Sequence, residues 1–66
     1  MHENIRARRT QLKLSQEYVA EKLGVSRQAV AKWEAGKSEP TAANLARLAA
    51  LFEMNVSELA APPAPP

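Results

Sequence analysis

Residues 16–33 read Gln-Glu-Tyr-Val-Ala-Glu-Lys-Leu-Gly-Val-Ser-Arg-Gln-Ala-Val-Ala-Lys-Trp. Val19 and Leu23 are four apart, so they share one face of a helix. Ala20 lies beside them and is small enough for a second helix to approach closely. Gly24 ends that helix, because a residue without a Cβ takes the left-handed conformation without a clash. Val25 is placed to pack back under the turn. Ser26 suits the N-cap of the next helix, where its hydroxyl accepts from a backbone N–H that the helix leaves free. Val30 and Trp33, three apart, set the inward face of that helix. At about 100° per residue, Gln28, Ala31, Lys32 and Ala35 point away from this face, with Arg27 at its edge. Gly36 closes the helix. The stretch predicts two short amphipathic helices joined by a glycine turn, the second with a polar outer face.

Outward from this pair, the chain predicts three more helices. The first runs from about Glu3 to Leu12, with Ile5 and Leu12 on one side and Arg6, Arg8, Arg9 and Lys13 making it basic. Ser15 is a natural N-cap for helix 2, which ends at Leu23; helix 3 covers Arg27 to Ala35. Gly-Lys-Ser-Glu-Pro at 36–40 is turn chemistry. Helix 4 starts at Thr41 as N-cap and continues to about Phe52, with Leu45, Leu48, Ala49 and Phe52 as its buried stripe. Asn55 and Glu58 have the spacing of a capping box for a short helix 5, and Met54 and Leu59 that of a hydrophobic staple. The last residues, Ala-Pro-Pro-Ala-Pro-Pro, cannot continue a helix and read as a disordered or polyproline tail over 61–66. The expectation is all-α: one compact five-helix domain over 1–60.

Composition narrows the function. The chain has 66 residues, room for one domain with a small core. It has no cysteine, which excludes disulfides and thiolate metal sites. Its one histidine, His2, lies at a terminus with nothing nearby to complete a metal shell, so neither a metal nor another cofactor is expected. No apolar run approaches the roughly 20 residues that span a bilayer, so no membrane partner is expected. The N-terminus has no apolar signal-peptide core, and a soluble cytoplasmic protein is the expectation. Residues 1–37 hold eight Lys/Arg and four Glu, a net +4, whereas residues 38–66 hold one Arg and three Glu, a net −2. A basic half that also carries the helix pair suits attraction to phosphates. Nothing points to an enzyme: there is no nucleophile–base pair, metal set or phosphate-cradling loop. Ser15, Ser26 and Thr41 read as caps.

The spacing Ala20, Gly24, Val30, Trp33 resembles the helix-turn-helix of the lambdoid phage repressor and Cro group, the XRE-type regulators. So do the words Leu14-Ser15-Gln16-Glu17, Leu23-Gly24-Val25-Ser26-Arg27-Gln28-Ala29-Val30 and Lys32-Trp33-Glu34-Ala35-Gly36-Lys37. The resemblance covers about residues 3–60. It implies a lambda-repressor-like DNA-binding domain in which helices 2 and 3 form the motif and helix 3 enters the major groove. It also implies that Arg27, Gln28, Ala31 and Lys32 face base edges, that Gln16 clamps a phosphate, and that Lys37 and Ser38 grip the backbone. By the same resemblance, Arg9 and Glu34 form a partly buried ion pair between helices 1 and 3. Tyr18 departs from the pattern, where Glu is common, and reads as an exposed residue whose hydroxyl could reach a phosphate. Glu53 stands where similar sequences often carry Gly, which leaves the exit from helix 4 open.

The chemistry of helix 3 agrees. A glutamine bonds adenine N6 and N7 as a bidentate pair, an arginine does the same to guanine O6 and N7, and an alanine methyl meets a thymine methyl. Arg27 serves equally well as a phosphate contact. The function expected is a sequence-specific, double-stranded-DNA-binding transcriptional regulator, a repressor, acting as a homodimer on an inverted repeat. The alternative is a protein-interaction module, such as an antitoxin or antirepressor, acting on a protein partner through helices 4 and 5. Leu51 lies off the main stripe of helix 4. With Met54, Val56 and Leu59 it either forms an apolar dimer or partner patch or simply finishes the core.

Overall fold

The computed structural model describes residues 1–61. The expected proline tail lies, apart from Ala61, outside the described residues. Five helices follow one another: α1 (His2–Gln11), α2 (Gln16–Leu23), α3 (Arg27–Glu34), α4 (Ala42–Leu51) and α5 (Val56–Ala60). Among the described residues there is no strand, and no helix is long and apolar enough to cross a membrane.

The starts of α2 to α5 follow from side-chain oxygens. Ser15 Oγ accepts from Tyr18 N at 3.0 Å, Ser26 Oγ from Ala29 N at 3.1 Å and Thr41 Oγ1 from Asn44 N at 3.1 Å. Asn55 and Glu58 form the capping box of α5, with Asn55 N donating to Glu58 Oε1 at 3.2 Å. The predicted boundaries shift by a residue or so. Helix α1 begins at His2, and Leu12, Ala35 and Phe52 are C-caps rather than helical residues.

The ends of α1 to α4 share one geometry. Each is followed by a residue with positive φ: Lys13 (59°), Gly24 (70°), Gly36 (74°) and Glu53 (57°). The N–H of the next residue then reaches back to a carbonyl of the last turn. Leu14 N reaches Arg9 O at 3.0 Å, Val25 N reaches Ala20 O at 3.0 Å, Lys37 N reaches Lys32 O at 2.9 Å and Met54 N reaches Ala49 O at 2.8 Å. These bonds satisfy carbonyls that a helix terminus leaves free. Glu53 therefore makes the same exit as a glycine would, and Lys13 makes one that no residue type announces.

Ile5, Val19, Leu23, Val30, Trp33, Leu48, Phe52 and Leu59 form the core, with Ala20 and Ala49 at close approaches. Helix α1 packs on α3 and α5, while α4 packs on α2 and α5. Leu59 is 0% exposed, which takes it out of the candidate apolar surface patch around helix 5 and into the core, the second of its two readings. It is the fourth residue of α5 and belongs to the core cluster, against which Met54 also packs, as the staple spacing requires. Leu51 and Met54 are half-buried against the core, and Val56, at 42%, is the exposed member of the group.

Two polar side chains of α1 tie down the C-terminal helices. Asn4 Nδ2 donates to the carbonyls of Glu58, Leu59 and Ala61 at the end of α5. Arg8 Nε donates to Phe52 O, at the end of α4, at 3.0 Å. Arg8 is therefore a capping residue and not simply part of a basic surface.

Candidate nucleic-acid interface

Helix α3 is held rigidly on one side and left open on the other. Val30 is 0% exposed and Trp33 5%, so its inner face is locked into the core against α2. Arg27, Gln28 and Lys32 are exposed on the outside, and Ala31 is half-buried between them and the groove beside α1. Among the described residues, the side-chain hydrogen bonds and ion pairs involve other groups, leaving Arg27, Gln28 and Lys32 unengaged. Lys37 and Ser38 are exposed in the turn that follows. Their backbone is fixed by the Lys37 N–Lys32 O bond described above. Three uncompensated cations, Arg27, Lys32 and Lys37, thus line one helix and its exit.

Beside this helix lies a polar cluster built around Glu34. Arg9 meets it in a bidentate pair, Nε to Oε2 at 2.6 Å and Nη2 to Oε1 at 3.0 Å. Arg9 Nη1 also donates to Leu14 O at 2.7 Å, so one guanidinium joins α1, the α1–α2 turn and α3. Gln16 Nε2 donates to Glu34 Oε1 at 3.2 Å. The Glu34 side chain is nearly fully buried, yet it accepts from three N–H groups. Among the described residues no buried side-chain nitrogen or oxygen lacks a partner.

The structure thus puts Gln16, Glu34 and Arg9 in one network. An amide nitrogen has two N–H donors, and the Glu34 bond takes one, which leaves the other without a protein partner among the described residues. Sequence reasoning missed the Gln16–Glu34 link, because 18 positions separate the two residues and no helical spacing relates them. Tyr18 is 40% exposed on α2, with Lys22 Nζ 5.4 Å from its ring centroid. An open groove of about 260 Å³ runs between α1 and α3, lined by Arg6, Arg9, Gln16, Ala31, Glu34 and Ala35.

Known proteins share this fold. A helix-turn-helix family model matches residues 5–59. The chain is 40% identical over 58 residues to the HTH-type transcriptional activator BcrR of Enterococcus faecalis, covering 88% of this chain and 28% of BcrR. It is 44% identical over 48 residues to Repressor protein C2 of Salmonella phage P22, covering 73% of this chain and 22% of that protein. The chain thus spans only about a quarter of the length of these relatives. The crystal structure of the P22 c2 repressor in complex with synthetic operator 9T matches with a TM-score of 0.84 and 36% identity over 88% of each chain. The hydroxypropylphosphonic acid epoxidase from S. wedmorenis matches with a TM-score of 0.82 and 32% identity, over 92% of this chain but 32% of the epoxidase. With a family model that matches residues 5–59, from within α1 to within α5, the chain belongs to the XRE-type helix-turn-helix family.

Proposed function

We propose that this domain binds double-stranded DNA sequence-specifically and serves as a transcriptional regulator. The observation that carries the reading is the outer face of α3, where Arg27, Gln28 and Lys32 stand exposed and unengaged on a helix whose inner face is locked. A fixed helix with free donors and acceptors is what major-groove readout requires. Gln28 reads adenine, Ala31 offers a methyl to thymine, and Arg27 and Lys32 reach guanine or a phosphate. Gln16, Lys37 and Ser38 set the pose through the backbone. The DNA complex of the P22 c2 repressor, similar along most of the chain, supports this assignment.

One copy touches few base pairs, so two copies on an inverted repeat give useful specificity. The relatives' names include an activator and a repressor. Repression needs only occupancy of the site, and we take it as the mode of action. The reading carries with it a cytoplasmic location, where the DNA is. A binding module fits better than an enzyme. The hydroxyls of Ser15, Ser26 and Thr41 already accept from their own helices, and the buried carboxylate of Glu34 is matched by Arg9. The alternative, a partner surface on α4 and α5, is weakened because Leu59 belongs to the core.

The test is selection from random duplex DNA, followed by a salt series on the enriched sequence. An enriched inverted repeat is expected. Weak binding that disappears with salt and yields no consensus would overturn sequence-specific recognition and leave only phosphate affinity.

A further inference from the structure

The groove between α1 and α3 opens beside the exposed face of α3, since Ala31 and Ala35 form one of its walls. Both are alanines, so the wall is low and the groove stays open. Its floor is the network of Arg9, Glu34 and Gln16, in which the charges of Arg9 and Glu34 cancel. Arg6 lines the opposite side and also borders a second hollow that continues along α1 past His2, Glu3, Ala7 and Thr10. Arg6 is exposed, and its side chain takes no part in the hydrogen bonds and ion pairs of the described residues. The nearby carboxylate of Glu3 is already engaged by the N-terminal ammonium at 3.6 Å and by His2 Nε2 at 2.9 Å. The groove therefore has an electrically balanced floor, one free N–H on Gln16, and one unmatched cation.

We propose that Arg6 is a DNA-backbone contact that works together with Gln16, the two seating one phosphate between α1 and α3. The inference rests on the reading of α3 as the DNA-facing helix and extends the contact surface to α1. A guanidinium presents a planar fork of donors that suits two phosphate oxygens, whereas the Gln16 amide supplies one donor from the other side. Such a contact carries charge but no base identity. Removing it acts on affinity and salt dependence and leaves the preferred sequence alone.

The experiment compares Arg6→Ala, Arg6→Lys and Arg47→Ala with the unaltered chain on one enriched duplex, over a range of salt concentrations. Arg47 is the control: it is an exposed cation on α4, on the acidic half of the chain. Arg6→Ala is expected to lower affinity several-fold and to reduce the slope of log affinity against log salt by about one unit. Arg6→Lys restores most of the slope, because it keeps the charge, and part of the affinity. Arg47→Ala leaves the slope unchanged. Circular dichroism of the variants should match that of the unaltered chain, since no described contact of the Arg6 side chain is lost. A slope that Arg6→Ala leaves unchanged, or lowers no more than Arg47→Ala does, overturns the contact while the DNA-binding reading stands. On a panel of single-base changes to that duplex, a base preference altered by Arg6→Ala overturns the backbone assignment. If the unaltered chain binds no duplex, both readings fall.

Discussion

Glu34 is the residue on which the polar packing converges. It is a carboxylate at 8% exposure, a position that costs several kcal/mol unless the charge is paired and bonded. Arg9 and Gln16 supply that pairing, so removing the carboxylate strands a largely buried guanidinium. Glu34→Ala is expected to lose about 3 kcal/mol of stability, seen as a lower urea midpoint by circular dichroism. An unchanged midpoint would mean that the pair contributes little. The proposed readers on α3 should behave differently, because their side chains hold nothing together among the described residues. Gln28→Ala should leave the midpoint alone and relax the preference at one base position, costing roughly 1–3 kcal/mol there. Gln16→Ala should weaken all duplexes alike. Uniform loss by both variants, measured on a panel of single-base changes, would remove Gln28 from the list of readers. The exposure of Arg27, Gln28 and Lys32 was legible in the sequence, because it follows from the spacing of Val30 and Trp33 on α3. The tie between Gln16 and Glu34 was not, since it depends on how α2 and α3 cross.

At the scale of elements, the helix starts were easier to read than the ends. A serine, threonine or asparagine before an apolar stretch has one physical use, and Ser15, Ser26, Thr41 and Asn55 all occupy N-cap positions. An end is legible only when glycine marks it. Gly24 and Gly36 did so, whereas Lys13 and Glu53 adopt the same positive φ with a Cβ present. The left-handed conformation costs such a residue about 1–2 kcal/mol. Glycine returns part of that gain as greater freedom of the unfolded chain, about 0.4–1 kcal/mol. Glu53→Gly is therefore expected to raise stability by about 0.5–1 kcal/mol, and Lys13→Gly by a similar amount. Gly24→Ala should do the reverse, losing about 1 kcal/mol. A Cβ at Gly24 meets nothing within 4 Å, so that loss measures the backbone alone. Thermal melts of the three variants check the set. If Glu53→Gly lowered the melting temperature, the Glu53 side chain would be stabilising the turn in a way that its geometry does not reveal.

The whole molecule depends on a small core closed by helix α5, which is only five residues long. So short a helix has little stability of its own and persists through tertiary contacts. Two of these are visible. Leu59 is fully buried from one side, and Asn4 reaches from α1 to carbonyls at its end. Neither was legible as a pairing, because α1 and α5 lie at opposite ends of the sequence and nothing local indicates that they meet. Leu59 itself fitted two readings, staple or surface patch, and its complete burial separates them. The two readings make opposite predictions. As a core residue, Leu59→Ala should cost about 2–5 kcal/mol through lost burial and a cavity. A domain of this size has roughly 3–10 kcal/mol in total, so the variant should lose a large share of its stability and melt well below the original. The loss should not depend on protein concentration, because it arises within one chain. Val56 is the contrast. It sits three residues earlier on the same helix but is 42% exposed. Val56→Ser should leave the melting temperature of a dilute sample within about 4 °C of the original, since exposed changes usually fall within ±0.5 kcal/mol. If two copies associate through this end, the same variant should weaken binding to a paired site while sparing a half-site. Melting curves at two protein concentrations, together with titrations of full-site and half-site duplexes, separate the core role of Leu59 from the surface role of Val56. A Leu59→Ala protein that melted like the original would show that α5 is not part of the core.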